Sequence, residues 1–333
     1  MKKLRVGVVG CRPIGYRHAD AIAGVEYAEL VAGCDLSAEQ LEEFTEKYGS
    51  RWPNLQTYSD LGEMLAEADL DIVTVATGDN AHANLVVDSA RAGIKGIFCE
   101  KPLATNLADA DRMIEACAAS DTILSIDHSR RWIPHWTHAW QLIHEDGAIG
   151  TVQYIISHLT GARAMLFRNG THMLDIICYY ADSSPEWVMA ELEEGFKDYT
   201  EYRGDGGKDP ATEPAASGYI HFANGVRGFF PCGTKKAVGP GMGRVDIFGS
   251  DGHISIDDKI TLSRGDNVEQ IALPSQPSDG IIAGTQELVR LVAEGGTPVS
   301  PGTEAIKAVE ITIGFLESQR RGSSPVTIAS LRS

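Results

Sequence analysis

Two short stretches of this 333-residue chain hold residue types that can move protons beside a reacting carbon. In the first, Glu100-Lys101-Pro102 closes the apolar run Ile97-Phe98-Cys99. Such a run suits the middle of a parallel sheet, and ligands of doubly wound sheets bind beyond the carboxyl ends of the strands. Glu100 and Lys101 therefore either stand where such a crevice opens or are the two solvated charges of an ordinary strand end. Pro102 biases the Lys101 backbone to extended values. The second stretch, Arg168-Asn169-Gly170-Thr171-His172-Met173-Leu174-Asp175, runs on through Ile176, Ile177, Tyr179 and Tyr180 with the pattern of an apolar helix. His172 and Asp175 then stand at i, i+3 on one face, where a carboxylate can orient an imidazole. An imidazole titrating near ~6.5 is a natural general base for an alcohol proton. On residue type alone, His172 also fits a structural role in the first helical turn.

The elements that must position these groups start at the N-terminus. Leu4 to Gly10 is a short apolar strand, Gly10-Cys11-Arg12-Pro13-Ile14-Gly15 a glycine-bounded turn, and a helix begins near Pro13. Strand, glycine turn and helix are the setting of a dinucleotide-binding fingerprint. Gly10 and Gly15 suit the tight turn and the close helix–strand packing, but Arg12 replaces the middle glycine that lets backbone approach a pyrophosphate. Either its guanidinium turns outward to phosphate or the side chain narrows the pocket. Pro13 fits the first helical turn, where no N–H is needed. Gly10, Arg12, Pro13, Ile14 and Gly15 form the expected phosphate-binding set.

The strand from Ala28 ends at Asp35, roughly 20 residues beyond Gly15, the usual distance to the carboxylate that binds the adenine ribose hydroxyls. Asp35 repels a 2′-phosphate and Leu36-Ser37-Ala38 adds no cation, so NAD is expected rather than NADP. Ser37 is the better cap for the next helix, which frees Asp35. Thr77 and His82, flanking a later turn, join Glu100 and Lys101 as residues expected to face the cofactor.

Strands alternating with helices of about 10–15 residues imply a doubly wound parallel sheet through residue 126. The length exceeds what one core usually serves. The expected division is a Rossmann domain over 1–127 and a substrate-binding and oligomerisation domain over 128–333. Past Asp127 a helix lies within 132–147, where Trp132, Trp136 and Trp140 recur every four residues as a packing stripe. Strand-like runs follow at 151–159, 187–192, 217–222, 226–232, 244–248, 253–256, 259–263 and 268–273. Asn224-Gly225, Asp251-Gly252 and Gly265-Asp266 turns link several of them, which indicates an open, mostly antiparallel sheet with helices on one face. Helices near 280–294 and 303–320 close the chain. The segment 193–214, rich in glycine and acids, is either plain surface or an active-site cover.

Composition sets the outer limits. A net charge of −17 excludes a broad nucleic-acid or anionic-membrane surface, since both need clustered cations. No apolar stretch approaches the ~20 residues of a membrane span, and the N-terminus lacks the features of a signal peptide, so a cytoplasmic location is expected. The six cysteines are scattered without a CxxC pair, several inside apolar runs, and read as buried free thiols. No set of His, Cys and acid residues has convincing metal-ligand spacing, so no metal is expected.

The N-terminal glycine turn, the acid after the second strand, Asp79-Asn80-Ala81-His82, Glu100-Lys101-Pro102 and the tail over 297–328 resemble, in their order and spacing, the Gfo/Idh/MocA oxidoreductases. That family is named for glucose–fructose oxidoreductase and inositol dehydrogenase, and the resemblance covers essentially the whole chain. It implies an NAD-dependent dehydrogenase or reductase acting on a secondary alcohol of a sugar, cyclitol or related polyol. Gly170, His172 and Asp175 match the family's G-x-H-x-x-D pattern, which implies His172 and Lys101 at the reacting oxygen and Asp175 orienting His172. The resemblance also implies a homo-oligomer, dimer or tetramer, built through the outer side of the C-terminal sheet.

One departure concerns substrate. Many polyol-oxidising members carry an aspartate where this chain has Arg168. A guanidinium offers a rigid fork to a carboxylate, a phosphate or several sugar oxygens, so an acidic or modified sugar, or a glycoside, is expected. His128, Arg130 and Arg131, after the sixth strand, either line the same crevice as substrate residues or pair with the acidic surface. Two other functions stay open: a glycosidase using tightly held NAD transiently, and a non-catalytic nucleotide-binding regulator. Arg12 lends weight to the second, and the joint presence of Asp35, Lys101 and His172 opposes it.

Overall fold

The computed structural model describes the whole chain except residues 1–2, 205–206, 208, 232–233, 237, 240–241, 274–278 and 333. It forms two compact units, one of Met1–Ala104, Ala108–Trp132 and Ser278–Glu304, the other of Thr105–Leu107, Ile133–Pro277 and Ala305–Ser333.

The first unit alternates β1 (Leu4–Val9), α1 (Pro13–Ala23), β2 (Ala28–Cys34), α2 (Ala38–Tyr48), β3 (Gln56–Tyr58), α3 (Leu61–Glu67), β4 (Ile72–Val75), α4 (His82–Arg91), β5 (Gly96–Cys99), α5 (Leu107–Ala119) and β6 (Ile123–Ile126). Its six-stranded sheet runs in the order β3-β2-β1-β4-β5-β6 with every pair parallel. Val6, Val8, Ile72, Val73, Val75, Ile97 and Phe98 are completely buried, as the continuous apolar runs of a sheet covered on both faces require. The strand order reverses between β1 and β4, so the carboxyl ends of β1, β4 and β5 meet at the switch point where such sheets bind ligands.

The second unit contains α6 (Pro134–His144), β7 (Val152–Leu159), α7 (Thr171–Ala181), β8 (Pro185–Leu192), β9 (Ala216–Phe222), β10 (Arg227–Pro231), β11 (Met242–Gly249), β12 (His253–Ile256), β13 (Ile260–Arg264) and β14 (Asn267–Ile271). After α8 (Gly280–Glu294), it is completed by α9 (Gly302–Arg320) and β15 (Val326–Thr327). The nine-stranded sheet runs β14-β13-β12-β11-β7-β10-β9-β8-β15. Its pairs are antiparallel except β10 with β7. That parallel pair escapes sequence reading, because period-2 alternation is the same in either direction. The strand expected over 226–232 is β10; Cys232 lies outside the described residues.

Two expectations need correction. The chain does not stay in the second unit after residue 128: α8 returns to the first, where Leu288 and Val289 join Val6, Ile72 and Phe98 in one core. Its apolar face packs on β4, β5 and β6, and no local signal in its sequence says which sheet will cover it. Nor do the three tryptophans form one stripe. Trp132 sits in a 3₁₀ turn of the first unit, edge-on to Phe98 and donating Nε1–H to Glu287 at 3.1 Å. Pro134 then opens α6, which carries Trp136 and Trp140.

Across the second sheet, on the face opposite the buried Ile155, Ile247 and Val188, runs a row of half-buried rings. His253, Phe248, Tyr154, Phe229, Tyr219 and Trp187 follow one another on six adjacent strands, with centroids 5.1, 4.4, 6.0, 5.4 and 5.0 Å apart. The five described cysteines are free and buried, and burial raises the thiol pKa of Cys34 to about 11 and of Cys117 to about 12. No helix among the described residues is long and apolar enough to cross a membrane.

Candidate active site

The glycine turn has the local geometry its spacing predicts. Gly10 adopts φ +94°, and a Cβ there would meet the Ala76 carbonyl at 2.4 Å; one on Gly15 would lie 1.9 Å from the Gly10 carbonyl. Both positions therefore need glycine. Arg12 precedes α1 in extended conformation (φ −120°, ψ −177°) with Pro13 at the first helical position. Its side chain is more than half exposed. Nε turns back to Asp35, 3.4 Å from Oδ2. Asp35 also accepts the Cys11 N–H at 3.0 Å and the Ser37 N–H at 2.9 Å, which ties the glycine turn to the end of β2. Ser37 caps α2 as expected, accepting from Gln40 N–H at 3.4 Å. Sequence reading found no cation next to Asp35; the fold supplies one from Arg12.

An NAD molecule fits these residues. The turn is a cradle that a Cβ would fill, and the buried Thr77 Oγ1 has no hydrogen-bond partner within the protein. His82 is wholly buried, its Nδ1–H donating to the Pro102 carbonyl at 2.9 Å and its Nε2 facing the Thr77 carbonyl at 3.4 Å. His82 thus links the Thr77 backbone to the segment after β5.

Glu100 and Lys101 follow β5 and are each only 9% exposed. The Glu100 N–H donates to Val75 at 2.9 Å, continuing the ladder with β4, and the Lys101–Pro102 peptide is cis. Burial disfavours the Glu100 carboxylate, but contacts from His18 and Asp127 and the Lys101 charge outweigh it and hold its pKa down at about 2. His18, Glu100 and Asp127 lie close enough together to hold an ion, a grouping that no sequence spacing reveals. Beyond β6, His128 is buried, Arg130 is half-buried, and Arg131 turns one Nη to the Val299 carbonyl at 3.1 Å.

In the second unit, residues Leu166–Gly170 form one π-helical turn that runs directly into α7. Such turns recur at functional sites because they re-aim side chains within a helix. Glu213, 1% exposed, shapes this one: a single Oε accepts the N–H groups of Phe167 at 2.8 Å and Arg168 at 3.0 Å. Asn169 and Arg163 exchange two further hydrogen bonds of 2.7 and 3.1 Å. His172 and Asp175 occupy the start of α7 at 9% and 1% exposure. Sequence reading missed Glu213, which sits in a glycine-rich loop with no motif around it. Glu213→Ala leaves two backbone donors unpaired at roughly 1–3 kcal/mol each. Thermal unfolding is expected to show a loss of about 2–4 kcal/mol, largely spared in Glu213→Gln, which keeps an acceptor oxygen.

Comparison with known proteins places this arrangement. Residues 4–128 match the family described as "Oxidoreductase family, NAD-binding Rossmann fold", and residues 136–255 the "GFO/IDH/MocA C-terminal domain". The chain is 31% identical over 258 residues to a myo-inositol 2-dehydrogenase of Thermotoga maritima, covering 76% of this chain and 75% of the relative. A D-apiose dehydrogenase of Paraburkholderia graminis is 34% identical over 151 residues, 45% of this chain and 39% of that protein. Among solved structures, an oxidoreductase from Agrobacterium radiobacter in complex with NAD+, L-tartaric acid and magnesium shares the fold with a TM-score of 0.82 at 20% identity, over 99% of both chains. With family models on both halves and a relative matched along most of its length, the chain belongs to the Gfo/Idh/MocA oxidoreductases and carries their NAD-binding Rossmann domain.

Proposed function

We propose that this protein is an NAD-dependent dehydrogenase acting on a secondary alcohol of a sugar, cyclitol or related polyol. The observation that carries the reading is Lys101, a nearly buried lysine at the carboxyl end of β5 in an NAD-binding sheet. The names of the inositol and apiose dehydrogenases point to the same substrate class. Bound NAD supplies the hydride acceptor. In the oxidative direction His172 takes the hydroxyl proton, with Asp175 orienting its ring, while Lys101 donates a hydrogen bond to the same oxygen as negative charge develops there. Fluorescence titration with NADH, followed by a sugar and polyol screen for NADH formation, tests the reading. It fails if NADH does not bind, or if a glycoside is cleaved with no net NADH.

Arg168 narrows the proposed substrate to an acidic or modified sugar, or a glycoside. It lies on the π turn, with its backbone N–H anchored by Glu213 and its side chain half-buried. Arg168→Ala is expected to raise KM for an acidic sugar about 10–100-fold, the loss of one charge-assisted pair, with kcat less affected. Unchanged kinetics on such a substrate, together with full activity on neutral inositols, sinks this assignment.

The aromatic row of the second sheet supports a homo-oligomer, because contiguous apolar patches of this kind mark interaction surfaces. Phe229→Asp, in the middle of the row, is expected to lower the mass seen by light scattering to that of the monomer. A monomeric wild-type protein removes the proposal.

A further inference from the structure

The carboxyl edge of the first unit holds a polar group that neither the glycine turn nor the proposed chemistry uses. His18 of α1, Glu100 after β5 and Asp127 after β6 bring a ring nitrogen and two carboxyl oxygens within 4.8 Å of one another. His18 is completely buried and Asp127 is 2% exposed. His18 Nε2 faces Glu100 Oε1 at 3.6 Å, and its ring stands edge-on to Phe98. Neither ring nitrogen of His18 has a hydrogen-bond partner. The Asp127 N–H donates to Cys99 at 2.8 Å, so the last bond between β5 and β6 itself forces the two carboxyls together.

Two buried carboxyls with oxygens within 4.8 Å of each other resist ionising together, and one proton retained between them relieves the repulsion. Burial first, then the neighbouring Glu100 charge, raises the Asp127 carboxyl well above the usual range, while Glu100 is held ionised. The other charges acting here are Lys101 itself and Arg17 of α1, which is paired with Asp279. The buried Cys99 thiol is pushed up by its own burial and then by the Glu100 charge.

We propose that Glu100 and Asp127, backed by His18, are positioning residues that share one proton and so present one negative charge to Lys101, keeping the lysine protonated. This rests on the role given to Lys101 above. A lysine with so little exposure tends to lose its proton unless a counter-charge stands beside it. One negative charge opposite one ammonium leaves the buried group neutral, whereas two fully ionised carboxylates would not.

Sharing has a distinctive signature. Glu100→Gln leaves Asp127 free to ionise, and Asp127→Asn leaves Glu100 ionised, so either single variant retains one counter-charge. Only the double variant removes it. Modification of Lys101 by an amine-directed acylating reagent, followed by mass spectrometry from about pH 8 upward, reads the lysine directly, where an ordinary imidazole carries no charge. Each single variant is expected to label at close to the wild-type rate. The double variant is expected to label at least about tenfold faster at a given pH, the consequence of a pKa lower by one unit. Glu100→Gln labelling as fast as the double variant, or a double variant indistinguishable from wild type, overturns the proposal.

A second measurement does not depend on the double variant folding. The unfolded chain ionises both carboxyls above the ordinary carboxylate range, whereas the folded pair keeps one proton. Wild-type stability must therefore fall with rising pH, by up to about tenfold in the folding equilibrium per pH unit, relative to Asp127→Asn. Equal pH slopes in the two proteins refute the shared proton. Tight binding of Zn2+ to the wild type that is lost in Asp127→Asn also refutes it, making the group a metal site instead. If labelling and slope behave as expected while Lys101→Ala retains turnover, the shared proton stands and the catalytic role of Lys101 falls.

Discussion

Lys101→Ala is expected to lower kcat by about 10²–10³-fold, the usual cost of removing one donor aimed at developing charge. The dissociation constant for NADH is expected to stay within about twofold, measured by fluorescence titration. The split follows from location. Lys101 is at the end of β5, next to the buried Glu100, whereas the phosphate- and ribose-binding roles are proposed for the glycine turn after β1 and Asp35 after β2. Loss of the ammonium removes a hydrogen bond that strengthens as the substrate oxygen gains charge, and leaves the phosphate and ribose contacts in place. Lys101→Arg tests position against charge: the planar fork keeps the charge but cannot place a point donor in the same way, so little activity should return. Wild-type turnover in Lys101→Ala disproves the assignment, and a parallel loss of NADH binding shows the lysine to be a cofactor residue instead.

His172→Ala has the second large expected effect, a fall in kcat of about 10²–10⁴-fold, the range for a positioned general base. The pH profile gives the sharper test. A wild-type profile should fall on the acid side as the imidazole gains its proton, because a protonated base cannot accept another. The variant should lose that limb and recover part of its rate with added imidazole. Asp175→Asn should reduce kcat less, since the role proposed for Asp175 is to orient the ring. Burial at 1% makes Asp175 a residue with little to offer substrate directly. An unchanged acid limb in His172→Ala assigns that titration to another group and removes His172 from the proton-transfer step.

Much of this was legible in the chain. Gly10 and Gly15 announce themselves because no side chain fits where a helix packs this closely on a strand, and Pro13 marks the start of α1 by its fixed φ. Ser37 as a cap, the Asn224-Gly225 turn between β9 and β10, and Gly265 between β13 and β14 are local effects of backbone preference and spacing. The helix bearing His172 and Asp175 follows from its apolar run, although the π turn before it does not. That turn depends on Glu213, 46 residues away in sequence from the Phe167 N–H that it accepts.

What the sequence by itself determined was the type of each element and the chemistry each end carries, because those depend on neighbours within a few residues. Tertiary structure decided the pairings: Arg12 turned back on Asp35, α8 returned to the first core, and His18, Glu100 and Asp127 gathered at one edge. Each joins residues that no local pattern links. The ends of β5 and β6 show the division most clearly. Glu100 and Asp127 each end a buried strand, and either alone reads as an ordinary terminal acid. Parallel pairing of β5 with β6 sets the two ends level, and burial then denies them independent charge.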